Sequence, residues 1–107
     1  MRPVLPGDVA AAGCALLALP ARKRPGAMLE MLHRAEAADR YRRALGHAHP
    51  DWGNGSLGSV AMSLPRVAEP FLNDPDYVDC MLTVFAALKA RNDRRGRLIR
   101  LRSSRIW

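Results

Sequence analysis

The longest regular pattern in the chain lies in residues 25–46, PGAMLEMLHRAEAADRYRRALG. Apolar or small residues recur there in steps of three and four, the period of a helix with one buried side. This seam consists of Met28, Met31, Leu32, Ala35, Ala38, Tyr41 and Leu45. Three oppositely charged pairs four residues apart lie off the seam: Glu30 with Arg34, Glu36 with Arg40, and Asp39 with Arg43. The pattern predicts one long helix whose seam packs on its own chain and forms the interface with a neighbouring subunit.

Three capping residues, each followed by an apolar stretch, predict further helices. They are Asp8 before residues 9–19, Ser56 before residues 57–64, and Asp74 before residues 75–91. The aromatic fraction is only 6%, and Ala, Leu and Arg, which favour helices, are abundant. We therefore expect an all-α fold, a small helical bundle built on a hairpin of the first two helices.

The net charge of +7 is concentrated at one end of the chain. Residues 1–88 contain nine basic and nine acidic residues, whereas residues 89–107 contain eight basic residues and one acidic residue, Asp93. This asymmetry divides the chain into a helical body, residues 1–91, and a basic, flexible C-terminal arm, residues 92–107. A basic arm indicates an acidic partner, which is nucleic acid, an acidic protein surface or anionic lipid.

The arm mixes arginines with aliphatic residues and ends in a tryptophan. Two interpretations stay open: a solvated segment without fixed structure, and a segment that becomes ordered on its partner. In both, the candidate contact residues are Arg94, Arg95, Arg97, Arg100, Arg102, Arg105 and Trp107. If five arginines each neutralised a phosphate, the logarithm of the affinity for duplex DNA would fall with the logarithm of salt at a slope of about −4.5.

Two stretches contain residue types that are common in catalytic or ligand sites. His47, His49 and Asp51 could ligate zinc, but a closed site needs three or four ligands, and a helix end and loop packing explain the histidines better. Residues 53–56, GNGS, precede a short helix, but they lack a preceding strand and the spacing of a phosphate-binding loop. We expect no enzyme, no cofactor and no metal, with a metal-dependent enzyme at the histidines as a minor hypothesis.

The two cysteines, Cys14 and Cys80, lie in apolar contexts without metal-type spacing, which is typical of reduced cytosolic thiols. The apolar run over residues 9–19 is too short to span a bilayer, which needs about 20 residues. It also lies mostly after Cys14, where it does not fit an export signal. We expect a cytoplasmic protein without membrane contact.

Three segments resemble a known family. They are MRPVL with PGDVAAA in residues 1–12, EAADRYRRALGHAHPDWGNGSL in residues 36–57, and DPDYVDCMLTVFAAL in residues 74–88. In these segments the chain resembles the small terminase subunit of alphaproteobacterial gene transfer agents, which are phage-like particles that package DNA. The resemblance covers most of residues 1–90.

The resemblance implies a non-catalytic adaptor that forms a ring, binds double-stranded DNA and recruits or regulates the large terminase subunit with its ATPase and nuclease. It implies subunit contacts through the seam and the preceding helix, and contacts of the arm with DNA or the large subunit. The chain departs from many relatives because the turn between its first two helices contains Pro20 and Pro25 and leaves no room for a recognition helix. We therefore expect DNA binding without strong sequence preference.

A second hypothesis comes from a different class of protein. The chain would then be a small cytosolic regulatory protein that binds a protein partner through a groove between its helices, and the basic tail would be incidental. The two hypotheses differ in the partner, which is DNA with a packaging ATPase in one and a regulatory protein in the other.

Overall fold

The described residues, 1–104, fold into four α-helices. The structure is a computed structural model that describes residues 1–104, and the side chains of residues 1–96. The helices are α1 (Pro6–Leu17), α2 (Arg24–Leu45), α3 (Leu57–Met62) and α4 (Pro75–Ser104), with a short 3₁₀ helix, Ala21–Lys23, between the first two. The described residues form no strand, and their isolated antiparallel bridge joins His49 to Gly53. The all-α prediction is confirmed.

Helix α1 lies at the centre of the bundle, where α2, α3 and α4 all pack against it. It is uncharged after its first turn, and Val9 and the stretch from Ala12 to Leu16 are buried. The predicted cap is displaced by three residues. Leu5 is the N-cap, and Asp8, in the first turn, accepts a hydrogen bond of 2.9 Å from the Leu5 backbone N–H. Asp8 therefore still satisfies an amide that the start of a helix leaves without a partner.

The seam of α2 is covered by the same chain rather than by a neighbouring subunit. Five of its residues, Met28, Met31, Leu32, Ala35 and Ala38, are at most 6% exposed. They belong to the core or pack beside it, where α2 meets α1, α3 and α4. Tyr41 is half-buried, and Leu45 is exposed at the end of the helix. The predicted subunit interface is corrected for these five residues because their side chains have no surface left to offer.

Two predicted helix caps are confirmed, and a glycine ends α2. The Ser56 hydroxyl accepts a hydrogen bond of 3.1 Å from the Ser59 N–H at the start of α3. The Asp74 carboxylate accepts one of 3.1 Å from the Tyr77 N–H at the start of α4. Gly46 ends α2 with φ of 78°, a left-handed conformation that glycine adopts without strain.

A buried arginine joins three helices at one corner of the bundle. The Nε of Arg24 donates hydrogen bonds to the carbonyl oxygens of Leu16, at 3.0 Å, and Leu19, at 3.1 Å. Its two terminal nitrogens donate to the Asp76 carboxylate at 2.7 and 3.1 Å. Arg24 thereby satisfies carbonyls at the end of α1 and ties the start of α2 to the start of α4.

Helix α4 continues beyond the point where the sequence suggested an arm. It was expected to end near Arg91, but it runs as one helix to Ser104 and therefore includes most of residues 92–107. The stretch after Asn92 contains no proline, and its arginines and leucines favour helix. The boundary between body and arm is thus a change in charge rather than a change in secondary structure.

Candidate functional site

The outward side of α4 carries apolar residues that no described part of the chain covers. Leu82 is 60% exposed and Phe85 is 54% exposed. Asp79, Ala86 and Lys89 are exposed on the same side of the helix. We call these five residues the α4 stripe. The opposite side of α4 contributes Tyr77, Cys80, Val84 and Leu88 to the interior.

The apolar stretch that follows Asp74 in the sequence has two different sides in the structure. The buried residues Tyr77, Cys80, Val84 and Leu88 are spaced by three or four, so they define the inner side by themselves. Leu82 and Phe85 fall outside that inner series. This was the signal that could have marked them as a surface feature.

An apolar groove lies between α4 and the N-terminal segment, residues 1–6. Its volume is about 1170 Å³, somewhat larger than a typical small-molecule site. Val4, Val9 and Leu88 supply part of its apolar lining, and the half-exposed Phe85 and Leu82 border it on the α4 side. Its polar lining is mainly basic and consists of Arg2, Lys89, Arg91, Arg95, Asn92 and Asp93.

A smaller apolar groove lies on the other flank of the stripe, between α4 and α2. Its volume is about 300 Å³, and it is lined by Leu29 and Pro25 on one side and by Thr83 and Ala87 on the other. Ala86 lines both grooves, so the ridge of α4 stands between two apolar depressions. Such a ridge between grooves is the surface that another helix packs against.

The basic residues at the end of α4 differ in how they are bound to the body. Arg91 donates a hydrogen bond of 2.9 Å to Glu36 on α2, and Lys89 pairs with Asp93 at 2.7 Å on the surface. Burial raises the pKa of Glu36, but the hydrogen bond and charge of Arg91 outweigh burial and hold this pKa below its ordinary value. Arg91 therefore serves the fold.

Two of the predicted contact residues, Arg94 and Arg95, have exposed side chains. The side chains of Arg97, Arg100 and Arg102 lie outside the described residues, as do Arg105 and Trp107 entirely. The helical backbone itself continues nine residues past Arg95, which is about 13 Å at the helical rise. The predicted arm residues thus begin on the exposed surface of α4.

The arginines of α2 are mostly paired with acids, as the sequence predicted. Arg34 bonds Glu30, and Arg42 and Arg43 both bond Asp39. The predicted Glu36–Arg40 pair is corrected, because the carboxylate of Glu36 accepts from Arg91 instead.

Asp39 is the centre of a small ionic cluster. It is 3% exposed and lies 3.2 Å from the α-ammonium of Met1. The hydrogen bond from Arg42 is the largest influence on its pKa, and together with Arg43 it outweighs burial and holds this pKa far below its ordinary value. The cluster connects the N-terminal segment to α2.

The two histidines of the loop after α2 have structural partners. The Nδ1 of His49 accepts hydrogen bonds of 3.1 Å from the backbone N–H groups of Asp51 and Trp52. The His49 ring stacks on the Trp52 ring at 4.7 Å, and both His47 and His49 pack edge-on against Tyr41. Among residues whose side chains are described, no group of three potential ligands could hold a metal ion.

The glycine loop, residues 53–56, is held by hydrogen bonds of its own side chains and backbone. The side-chain oxygen of Asn54 accepts hydrogen bonds from the Ser56 N–H, at 3.1 Å, and from the Ser59 hydroxyl, at 2.7 Å. The Gly55 carbonyl accepts one of 2.9 Å from the Arg2 N–H. The loop therefore fixes α3 and the N-terminal segment against α2.

Comparison with known proteins places the chain in a family without an assigned function. The geometry is that of a small helical protein with a neutral body and a basic helix end. The chain belongs to the family described as Domain of unknown function (DUF7742), whose model matches residues 2–88. Neither the curated proteins nor the solved structures give a significant match. The matched region ends directly before Lys89, where the excess of basic residues begins.

None of the described helices is both long enough and apolar enough to cross a membrane.

Proposed function

We propose that this chain is a non-catalytic DNA-packaging adaptor of the small-terminase type. It would form an oligomeric ring, bind duplex DNA without strong sequence preference, and recruit or regulate a large terminase subunit that carries the ATPase and nuclease. The observation that carries the proposal is the segregation of charge, since the whole net charge of +7 lies in residues 89–107, mostly on the last turns of α4.

The charge distribution supports contact with the DNA backbone. Phosphates attract any concentrated basic surface, and such contacts contribute affinity without reading the base sequence. Arg94 and Arg95 are exposed within the basic part of the helix, which begins at Lys89. A helix end with this charge density would repel itself unless an acidic partner neutralised it.

The burial of the other helices supports weak sequence preference. A recognition helix must present one side to the major groove. Helix α1 is enclosed by the three other helices, and α3 is only six residues long, with Leu57, Gly58, Val60 and Ala61 buried. Neither helix has a free side of the required length. Helix α2 has an exposed side, but most of its arginines are paired with acids, so the proposed DNA contacts fall to the end of α4.

A charge-matched pair of variants tests the proposed DNA contact. In the arm variant, four arginines of the basic C-terminal segment, residues 92–107, become glutamine: Arg97, Arg100, Arg102 and Arg105. In the body variant, four exposed arginines without described ion pairs become glutamine: Arg2, Arg22, Arg40 and Arg66. Both variants have the same net charge and chain length, so only the position of the charge differs.

Fluorescence anisotropy with a labelled DNA duplex of arbitrary sequence is the measurement. The arm variant is expected to lose at least about tenfold in affinity, whereas the body variant stays close to the unmodified chain. Equal losses in both variants would show that net charge alone, and not the end of α4, determines binding. Binding of the large subunit is tested with the same pair by co-purification.

A second candidate function is supported by the groove between α4 and the N-terminal segment. An apolar groove of about 1170 Å³ with a basic rim suits a helix or peptide of another protein. The chain would then be a regulatory protein, and its basic tail would be incidental. Co-purification from cells separates the two candidates, because recovery of a regulatory protein without DNA or a packaging ATPase would favour the second.

A further inference from the structure

We propose that α4 pairs antiparallel with α4 of a second copy of this chain through the α4 stripe. This inference rests on the proposed function, in which the chain forms an oligomer, and it names the surface through which two subunits meet. It replaces the seam of α2, which the sequence suggested and the fold buries, with an exposed surface on another helix.

The order of residues along the stripe is self-complementary. At 100° per residue, the five positions fall within an arc of about 120° on one side of the helix. Read along α4, the stripe has an acid at Asp79, apolar residues at Leu82, Phe85 and Ala86, and a base at Lys89. A two-fold axis on the outward side of α4, at the height of residue 84 halfway between Asp79 and Lys89, therefore places the acid of each copy opposite the base of the other.

The same axis brings the apolar residues together. Leu82 of one copy lies opposite Ala86 of the other, and the two Phe85 rings flank the axis. Because the contact is isologous, each favourable pair occurs twice. The grooves on both flanks of the ridge leave room for the side chains of a packed helix.

Charge selects the antiparallel arrangement over the parallel one. In a parallel pair, Asp79 would face Asp79 and Lys89 would face Lys89. The two basic helix ends, residues 89–104 with seven basic residues against Asp93, would also lie side by side. In the antiparallel pair these ends point in opposite directions, and like-charge repulsion between them is smallest.

The charged residues of the stripe are available for this contact. The carboxylate of Asp79 forms no ion pair with another residue whose side chain is described. Lys89 pairs with Asp93, but the two side chains are 78% and 53% exposed, and such surface pairs are weak. An ammonium group has three N–H donors, so Lys89 can bond Asp79 of the second copy and keep Asp93.

The contact has a geometric consequence for assembly. An isologous contact closes on itself at two chains, so a ring needs a further surface to join such pairs. The two basic helix ends then emerge from opposite ends of each pair, where both remain accessible to DNA.

Sedimentation equilibrium of the full chain tests whether the stripe joins two copies. The unmodified chain is expected to show reversible association, and Phe85→Glu is expected to weaken it at least about tenfold. Phe71→Glu is the matched control, because Phe71 is 86% exposed and lies outside the stripe. Circular dichroism establishes that both variants remain helical. A chain that stays monomeric, or an equal effect of both substitutions, would overturn the proposal.

A charge exchange tests the antiparallel register. Asp79→Lys and Lys89→Asp are each expected to weaken self-association. An equimolar mixture of the two single variants should restore it, because every acid then faces a base. The double variant should also associate, since the exchange restores both pairs. Single variants that associate as tightly as the unmodified chain would refute the antiparallel register, because in a parallel pair each substitution only exchanges one like-charge contact for another.

The outcomes distinguish this inference from the proposed function. A monomeric chain whose DNA binding still depends on the end of α4 would refute the pairing of the helices and support the proposed DNA contact. Dimers that form through the α4 stripe but have no affinity for DNA or for a large terminase subunit would support the pairing and refute the proposed function.

Discussion

Replacement of Arg24 by methionine tests the buried junction of α1, α2 and α4. Methionine keeps much of the apolar stem but removes the guanidinium, so the carbonyl oxygens of Leu16 and Leu19 lose their charged donor. Hydrogen bonds to charged groups contribute roughly 1.5–3 kcal/mol each. The Asp76 carboxylate is 58% exposed and is hydrated by water once Arg24 is gone, so the lost ion pair adds little to the destabilisation. We expect the free energy of unfolding to fall by about 2–3 kcal/mol.

Urea unfolding followed by circular dichroism is the assay, and a thermal scan should show Tm lower by about 10–20 °C. Arg22→Met is the control, because Arg22 lies in the same turn but is exposed, and its change should stay within about 0.5 kcal/mol. Arg24→Lys should be intermediate, since one ammonium cannot span both carbonyls and the carboxylate. If Arg24→Met unfolds at the same urea concentration as Arg22→Met, the junction does not stabilise the fold as argued.

Two further predictions concern the backbone and the pH. Gly55 has φ of 93°, and an added Cβ would lie 2.7 Å from the Asp39 Cα, so Gly55→Ala should destabilise by at least about 2 kcal/mol in urea unfolding. Gly26→Ala, where nothing lies within 4 Å, should instead stabilise α2 by about 0.5–1 kcal/mol. Equal effects would contradict the strain argument. The hydrogen bond from Arg24 holds the pKa of Asp76 below its ordinary value. Ionised Asp76 therefore stabilises the fold at pH values above its ordinary pKa, and this stabilisation is lost as the pH falls through the lowered pKa of the folded state. Asp76→Asn should therefore remove this loss of stability at low pH. The same pH profile of the free energy of unfolding in the variant and the unmodified chain would refute the prediction.

Local signals in the sequence were sufficient for the helices and several of their ends. Ser56 and Asp74 cap α3 and α4 through their own side chains, and Gly46 supplies the conformation that ends α2. These features depend on residues only a few positions apart, so they can be derived without the tertiary structure. The apolar period of α2 likewise identified the side that is buried.

The partners of those helices could not be derived in the same way. The period of α2 shows that Met28 and Ala35 are covered, but it does not show whether the cover belongs to the same chain. Arg24 lies in a stretch that reads as a basic turn, and its carboxylate partner is 52 positions away. Glu36 has Arg40 one turn along, yet Arg91 on another helix binds it. Each of these choices is decided by how the helices pack.

Helix α4 extends beyond residue 92, where the sequence predicts an arm, because two physical effects oppose each other in this segment. The concentration of like charges after Asn92 favoured an arm without fixed structure. The absence of proline and the high helix propensity of Arg and Leu favoured a continuous helix. Propensity prevails in the structure, where the helix runs to Ser104. The candidate DNA contact is therefore presented on a helix.

The salt dependence of DNA binding tests the central claim most directly. Affinity of the full chain for a DNA duplex is measured over a range of salt concentrations, beside the variant in which Arg97, Arg100, Arg102 and Arg105 are glutamine. If all four arginines neutralise phosphates, the logarithmic slope of the variant should be smaller in magnitude by about 3.6. The body variant should keep the slope of the full chain. A slope that is the same in the full chain and the arm variant would contradict the assignment of the end of α4 as the DNA contact.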